Sequence, residues 1–123
     1  MKQHSSRFLT LVSETKKRIN EINPVQLKEK IDTNESFYLL DVREESEWPS
    51  GHIAHAVHLG KGIIERDIEK KIPDSDASIV VYCSGGFRCA LVADSLQKMG
   101  YSNVSSLDSG MQGWVDAGFD IEK

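Results

Sequence analysis

Two short, strongly apolar segments constrain the fold of this chain more than any other feature. They span residues 37–42 (FYLLDV) and 79–82 (IVVY). Apolar runs of this length, preceded by turn residues, are typical of strands that are buried on both faces, as in parallel sheets. Shorter strands are predicted over residues 56–59 and 104–107.

Segments with helical character separate these strands. They cover residues 63–71 and 87–99, and Gly100 stands where a glycine commonly ends a helix. A last short helix is predicted over residues 110–117. Strands that alternate with helices predict an α/β fold with a mostly parallel central sheet and helices on both faces. In such sheets, ligands bind beyond the carboxyl ends of the strands.

The pair Asn23-Pro24 indicates where the folded domain begins. Asn is a favoured N-cap and Pro is favoured at the first helical position, so a helix is predicted from here through Ile31. We therefore divide the chain into a helical extension, residues 1–21, and one domain, residues 22–123. An apolar stripe in the extension favours packing against the domain; its members are Phe8, Leu11 and Val12.

Composition and charge exclude several classes of function. A net charge of −4 argues against nucleic acid or an anionic membrane as partner. The chain has no apolar stretch of about 18 residues and no signal-peptide pattern at its start. Its two cysteines do not make a disulfide framework, which favours a reducing compartment. We expect a cytoplasmic monomer.

The segment Cys83-Ser84-Gly85-Gly86-Phe87-Arg88 carries the chemistry of this sequence. It joins a predicted strand to a predicted helix, so Cys83 falls at the edge of the sheet where ligands bind. Both glycines can adopt backbone angles closed to other residues, which lets successive N–H groups converge on one point. Together with the helix N-terminus and Arg88, these groups predict a site that binds an anion and stabilises the thiolate of Cys83.

This loop resembles the active-site loop of the single-domain rhodaneses, the thiosulfate sulfurtransferases. An upstream segment resembles the family's first signature: Leu40 to Glu44, then Glu47-Trp48, Gly51-His52-Ile53 and Ala56. A downstream segment, Ser109 to Trp114 with Ala117-Gly118, resembles the last one. The likeness covers about residues 22 to 121. The family usually has a glycine pair at Ser109-Gly110, and we expect this departure to affect only a turn.

The resemblance implies a rhodanese-like fold and a function for the residues of the loop. Cys83 would accept a sulfane sulfur from thiosulfate or a related anion, form a persulfide, and pass the sulfur to a thiol or protein acceptor. Arg88 would be its catalytic partner, with Ser84, Gly85, Gly86 and Phe87 binding the donor. No metal or organic cofactor is implied. Asp41 and Arg43 would support the loop, either as a structural ion pair or in direct catalysis.

Two other functional classes remain open. Cysteine phosphatases and arsenate reductases of the related fold hold a tetrahedral anion in a Cys-to-Arg loop of seven residues, whereas this loop, Cys83 to Arg88, has six. The shorter loop fits a bound sulfur atom better. A non-catalytic binding module is the third alternative, although inactive members of the family typically lack the loop cysteine.

Four further features invite a functional interpretation. Cys89 is either a packing residue or a resolving thiol for Cys83. The histidines at positions 52, 55 and 58 should not share a face, which argues against a metal site. We expect the two tryptophans, at positions 48 and 114, to pack in the domain. Glutamates at 44, 45 and 47 form an acidic patch. It would disfavour free anions and favour a basic acceptor protein if it borders the site.

Overall fold

Five parallel strands form the central sheet of the computed structural model, which describes residues 4–123. β4 occupies the middle of the sheet, and every pairing between neighbouring strands is parallel. The strands across the sheet are β1 (Asn20–Ile22), β5 (Val104–Leu107), β4 (Ile79–Tyr82), β2 (Tyr38–Asp41) and β3 (Val57–His58). The predicted α/β fold with a parallel sheet is confirmed.

Helices cover both faces of this sheet. The helices are α1 (Ser6–Lys16), α2 (Pro24–Asp32), α3 (Ile64–Lys71), α4 (Arg88–Lys98) and α5 (Gly110–Asp116), with a 3-10 helix at Glu45–Ser50. Asn23 caps α2 as predicted, accepting a hydrogen bond from the Gln26 amide at 2.8 Å. Gly100 follows α4 with a φ of 100°, as expected of a glycine that ends a helix. Across residues 4–123, no helix is long and apolar enough to cross a membrane.

Alternate residues of the strands build two separate cores, because successive strand side chains point to opposite faces. Leu40, Val81 and Cys83 lie in the core with α3 and α4, whereas Leu39, Val80 and Tyr82 lie in the core with α2 and α5. Residues 80 to 83 are each at most 1% exposed. The strand that ends at the candidate nucleophile is therefore held by packing on both faces.

The sequence did not predict β1. Its three residues pair with Ser105, Ser106 and Leu107 of β5, and the boundary drawn between residues 21 and 22 falls inside it. Preceding it, α1 packs against α4, where Arg18 pairs with Asp94 at 2.9 Å. Within the predicted apolar stripe, Val12 is 2% exposed but Leu11 is 52% exposed and faces solvent. Residues 1–3 of the predicted extension lie outside the described residues.

Candidate active site

The sulfur of Cys83 lies at the junction between β4 and the first turn of α4. It accepts backbone hydrogen bonds from the N–H groups of Gly86, at 3.2 Å, and of Cys89, at 3.3 Å. Both donors come from the segment in which the chain turns from strand to helix, where amide groups have no intrahelical partner. The predicted convergence of amides on one point is present, and its centre is the sulfur itself.

Only the second glycine of the loop needs to be a glycine. Gly86 has a φ of 92°, and a Cβ there would lie 2.0 Å from the carbonyl oxygen of Asp108. Gly85 has no positive φ, and a Cβ on it would meet nothing closer than the Phe87 ring at 3.5 Å. Of the two loop glycines that can adopt such angles, only Gly86 does so. One left-handed residue is enough to aim the amides at the sulfur.

The start of α5 holds the outer side of the loop. The amide of Met111 donates to the Cys83 carbonyl at 2.7 Å, and that of Gln112 donates to the Ser84 carbonyl at 2.9 Å. Gly110 permits this approach, since its φ is 62° and a Cβ would lie 2.5 Å from the Cys83 carbonyl oxygen. Ser109, where the family usually has glycine, has a φ of −110°, an angle open to any residue.

Cys89 is the side chain that most affects the Cys83 sulfur. Its sulfur lies 3.4 Å from the Cys83 sulfur, and it accepts a hydrogen bond from the Ser106 hydroxyl at 3.0 Å. Burial raises the pKa of Cys89, so it remains a thiol and can donate its S–H. That bond is the main reason that the pKa of Cys83 is lowered to about 6 despite burial; the Cys89 and Gly86 amides and the Arg88 charge add to it.

Arg88 is bound by a carboxylate that the sequence did not assign to the site. Its Nη1 donates to Glu47 Oε1 at 2.9 Å, and its Nη2 donates to Glu47 Oε2 at 3.3 Å and to the Ser84 hydroxyl at 3.0 Å. The Ser84 hydroxyl donates in turn to Glu47 at 2.9 Å. Hydrogen bonding from Arg88 lowers the pKa of Glu47 to about 2, although burial opposes this. The carboxylate is therefore ionised throughout the neutral range.

This pairing changes the expected roles of Arg88 and of the acidic patch. The sequence predicts a guanidinium that binds the anion, and it leaves open whether the acidic patch borders the site. Glu47 instead occupies both Arg88 nitrogens that face it, while Glu44 and Glu47 also line the pocket beside Cys83. Glu47 and Arg88 are 41 positions apart in the sequence, so no local pattern could have revealed their contact.

Asp41 and Arg43 form a buried ion pair beside the site. Asp41 is fully buried and Arg43 is 5% exposed, and the closest nitrogen and oxygen are 2.7 Å apart. Asp41 also accepts from the Tyr82 hydroxyl at 2.9 Å, and Arg43 donates to the Gly51 carbonyl at 2.7 Å. Among the hydrogen bonds of residues 4–123, none joins the pair to the loop 83–88. The geometry is that of a structural pair that fixes the strand preceding Cys83.

A pocket of about 970 Å³ opens over the loop. Cys83, Phe87 and Arg88 line one part of it, and the 3-10 helix region contributes Glu44 and Glu47. The start of the described chain also lines the pocket, with residues 4, 5 and 8. The sequence placed none of these last residues at the site. Of these residues only Phe8 belongs to the predicted apolar stripe, and that stripe does not indicate which part of the domain it contacts.

Both tryptophans pack in the domain, whereas the histidines at positions 52, 55 and 58 have different environments. Trp48 stacks on His52 with ring centroids 3.7 Å apart, and His58 Nε2 lies 2.8 Å from the Arg43 carbonyl oxygen. His55 is exposed and has a φ of 72°. Trp114 is 3% exposed and donates to the Asp120 carbonyl at 2.9 Å. Within the described part of the chain, no three His, Cys, Asp or Glu side chains are grouped so that they could hold a metal ion.

The fold and the Cys83 loop together define a known class of domain. The family model described as "Rhodanese-like domain" matches residues 23–117, and this chain belongs to that family. A relative from Bacillus subtilis, named "Putative sulfurtransferase YtwF", is 38% identical over 96 residues, covering 78% of this chain and 90% of the relative. Another from the same organism, "Putative sulfur carrier protein YrkF", is 33% identical over 84% of this chain but only 55% of its own length.

Two solved structures of the same fold carry different descriptions. A protein from Rhodopseudomonas palustris, of unknown function and described as a possible tyrosine phosphatase, superposes with a TM-score of 0.88 at 26% identity, over 99% of both chains. A thiosulfate sulfurtransferase from Pseudomonas aeruginosa superposes with a TM-score of 0.78 at 30% identity, over 85% of this chain and 20% of that one.

Proposed function

We propose that this protein is a sulfurtransferase that carries a sulfane sulfur as a persulfide on Cys83. The observation that carries the proposal is the environment of the Cys83 sulfur. Two amides and the Cys89 thiol donate to it, its pKa is lowered to about 6, and it lines the pocket above the loop. A thiolate is the nucleophilic form of cysteine, so the site holds its reactive form at neutral pH.

In the first half-reaction, the Cys83 thiolate attacks the outer sulfur of thiosulfate or a related donor. A bond forms between the two sulfurs while the bond from the outer sulfur to sulfite breaks, and sulfite leaves with the electron pair. The product is the Cys83 persulfide anion. The negative charge moves to the outer sulfur, which is bonded to the Cys83 sulfur that the Gly86 and Cys89 amides contact.

In the second half-reaction, a thiophilic acceptor attacks the outer sulfur of the persulfide and the Cys83 thiolate leaves. Cyanide serves as the acceptor in an assay and yields thiocyanate. A thiol or an acceptor protein serves in the cell, and the similarity to a named sulfur carrier supports such a partner. Cys83 must be a free thiol, not in a disulfide with Cys89, for this cycle, so we propose a reducing compartment, the cytoplasm, as its setting.

A phosphatase is the second candidate, because the Rhodopseudomonas palustris structure is described as a possible tyrosine phosphatase. The geometry of this loop argues against it. A cysteine phosphatase needs donors for the non-bridging oxygens of a phosphate group, whereas both Arg88 arms that face Glu47 are bound to its carboxylate.

Intact-mass measurement of the reduced protein tests the proposal. Incubation with thiosulfate should add one sulfur atom, and cyanide should remove it with formation of thiocyanate. Cys83→Ser should gain no sulfur while it keeps the wild-type fold by circular dichroism. Cys89→Ser, which leaves Cys83 in place, is the matched control and should still gain the sulfur. Hydrolysis of an aryl phosphate without any mass gain would replace the proposal with the phosphatase.

A further inference from the structure

The start of the chain contributes an aromatic surface to the pocket that holds Cys83. The ring centroids of His4 and Phe87 are 4.6 Å apart, those of His4 and Phe8 are 5.1 Å apart, and those of Phe8 and Phe87 are 6.2 Å apart. We call these three rings the aromatic wall; all three line the pocket. Two of them precede residue 23, where the family match begins.

The aromatic wall is positioned by α4, the helix that begins at the Cys83 loop, because α1 packs against this helix. α1 packs against α4, with Val12 2% exposed and Thr15 fully buried. Arg18 closes this contact through two hydrogen bonds to the Asp94 carboxylate, at 2.9 and 3.1 Å. Since α4 also carries the amide that binds the Cys83 sulfur, the position of the wall relative to the sulfur is fixed by packing.

The charges at the pocket disfavour a small dianion. Glu44 and Glu47 line it, and Glu47 holds the Arg88 guanidinium. Lys16, whose ammonium lies 5.8 Å from the Phe87 ring centroid, is paired with Glu21 at 3.2 Å. A thiosulfate dianion would therefore approach the Cys83 thiolate and the Glu44 carboxylate, while the charges of Arg88 and Lys16 are balanced by Glu47 and Glu21. A donor with less charge and a larger apolar group fits this lining better.

We infer that the aromatic wall selects the sulfur donor, and that the donor is an organic sulfane compound with an aromatic or bulky apolar group. The inference rests on the proposed sulfur transfer and names its substrate class. With a thiosulfonate monoanion, the Cys83 thiolate bonds to the terminal sulfur, the bond between that sulfur and the sulfonyl sulfur breaks, and the sulfinate leaves with the electron pair. The wall contacts the organic group of the donor while the loop holds the sulfur.

Single-turnover persulfidation of the full chain tests this selection. Three donors are compared by intact mass: thiosulfate, methanethiosulfonate and benzenethiosulfonate, each rate being divided by that of a free thiol with the same donor. The normalised rate for the benzene donor should exceed that for the methane donor by roughly tenfold, the scale set by lost apolar contacts in a binding pocket. Thiosulfate should be the slowest of the three, and Glu47→Gln should raise its rate.

Two variants test whether the selection depends on the wall residues that precede the family match, His4 and Phe8. Phe8→Ala and His4→Ala should each lower the ratio of the rate with benzenethiosulfonate to the rate with methanethiosulfonate. The ratio, before normalisation, should approach the value measured with the free thiol. Leu11→Ala changes an exposed residue of the same helix and should keep the wild-type ratio. His4 precedes the first helical residue, so its variant remains informative even if Phe8→Ala loosens α1. A wild-type ratio equal to that of the free thiol, or one that persists in both wall variants, would overturn the inference.

A binding measurement separates this inference from the sulfur transfer on which it rests. Benzenesulfinate, which carries no transferable sulfur, should slow alkylation of Cys83 by iodoacetamide, and methanesulfinate should do so at a roughly tenfold higher concentration. Absence of persulfide with every donor, with this protection intact, would refute the sulfurtransferase and keep the aromatic binding surface. Equal protection by both sulfinates would refute the surface alone.

Discussion

Replacing Cys89 with alanine should raise the pKa of the nucleophile and slow its reaction at neutral pH. The Cys89 thiol, 3.4 Å from the Cys83 sulfur, is the largest single cause of the lowered pKa. Alanine removes this donor and leaves the two backbone amides in place. Serine at the same position retains a hydroxyl donor, so Cys89→Ser is the matched control.

The size of the effect follows from the strength of the bond that is lost. Hydrogen bonds to charged groups contribute about 1.5–3 kcal/mol, and a thiol is a weak donor, so the lower end applies. Since one pKa unit corresponds to 1.36 kcal/mol, the pKa of Cys83 should rise from about 6 to about 7. At pH 6, this change lowers the thiolate fraction from about one half to about one tenth.

The pH dependence of alkylation measures this change. For the wild type, the rate with iodoacetamide should fall about tenfold per pH unit below the pKa of about 6 and level off above it, because only the thiolate reacts. In Cys89→Ala the whole curve should move to higher pH, whereas in Cys89→Ser it should move less. Thermal melting of each variant confirms that the loop is folded in the measured samples.

One result would refute the reasoning about the two thiols. If Cys89→Ala is folded and its alkylation still has a pKa of about 6, the thiol donor contributes nothing. The amides of Gly86 and of position 89 would then account for the whole effect. A shift of equal size in Cys89→Ser would have a different meaning, namely that sulfur polarisability rather than hydrogen bonding matters.

Three more outcomes are expected from the same structure. Gly86→Ala should lower stability by about 3 kcal/mol, from the strained φ and the close contact, whereas Gly85→Ala should cost less than about 1 kcal/mol; urea unfolding compares them. Asp41→Asn leaves a buried guanidinium without its counter-charge and should cost about 3 kcal/mol in the same assay. Hydrogen peroxide should oxidise Cys83 to a sulfenic acid, which Cys89 converts to a disulfide with loss of water; a loss of two hydrogens by mass, absent in Cys89→Ser, checks the resolving thiol.

The sequence predicted the loop well because its signal is local. The apolar strand, the glycine at position 86 and the helix that follows are contiguous, and their order alone places Cys83 at a strand end facing helix amides. The central strands were predicted for the same reason, since each is a short run of apolar residues. By contrast, β1 contains Asn20 and Glu21, has no buried residue, and pairs along an edge of the sheet. Periodicity gives no signal for such a strand.

Contacts between distant segments could not be predicted in this way. The Glu47–Arg88 pair joins a 3-10 helix to the loop, and the aromatic wall joins α1 to it; both depend on how elements pack in space. A charged residue in a run of glutamates has the same local pattern whether it faces water or an arginine. The sequence therefore predicts the loop that surrounds Cys83, but not the Glu47–Arg88 pair or the aromatic wall that line the pocket beside it.

These two sets of groups also act on different properties of the site. The thiolate is stabilised mainly by the Cys89 thiol and by amides that belong to the loop itself, and the Arg88 charge is the smallest of its causes. Neutralising Arg88 with Glu47 therefore costs the nucleophile little, while it removes an open cation from the pocket. Glu47→Gln should accordingly change the preference among sulfur donors much more than it changes the pKa of Cys83. Cys89→Ala should do the reverse, so the two variants separate activation of the nucleophile from selection of the donor.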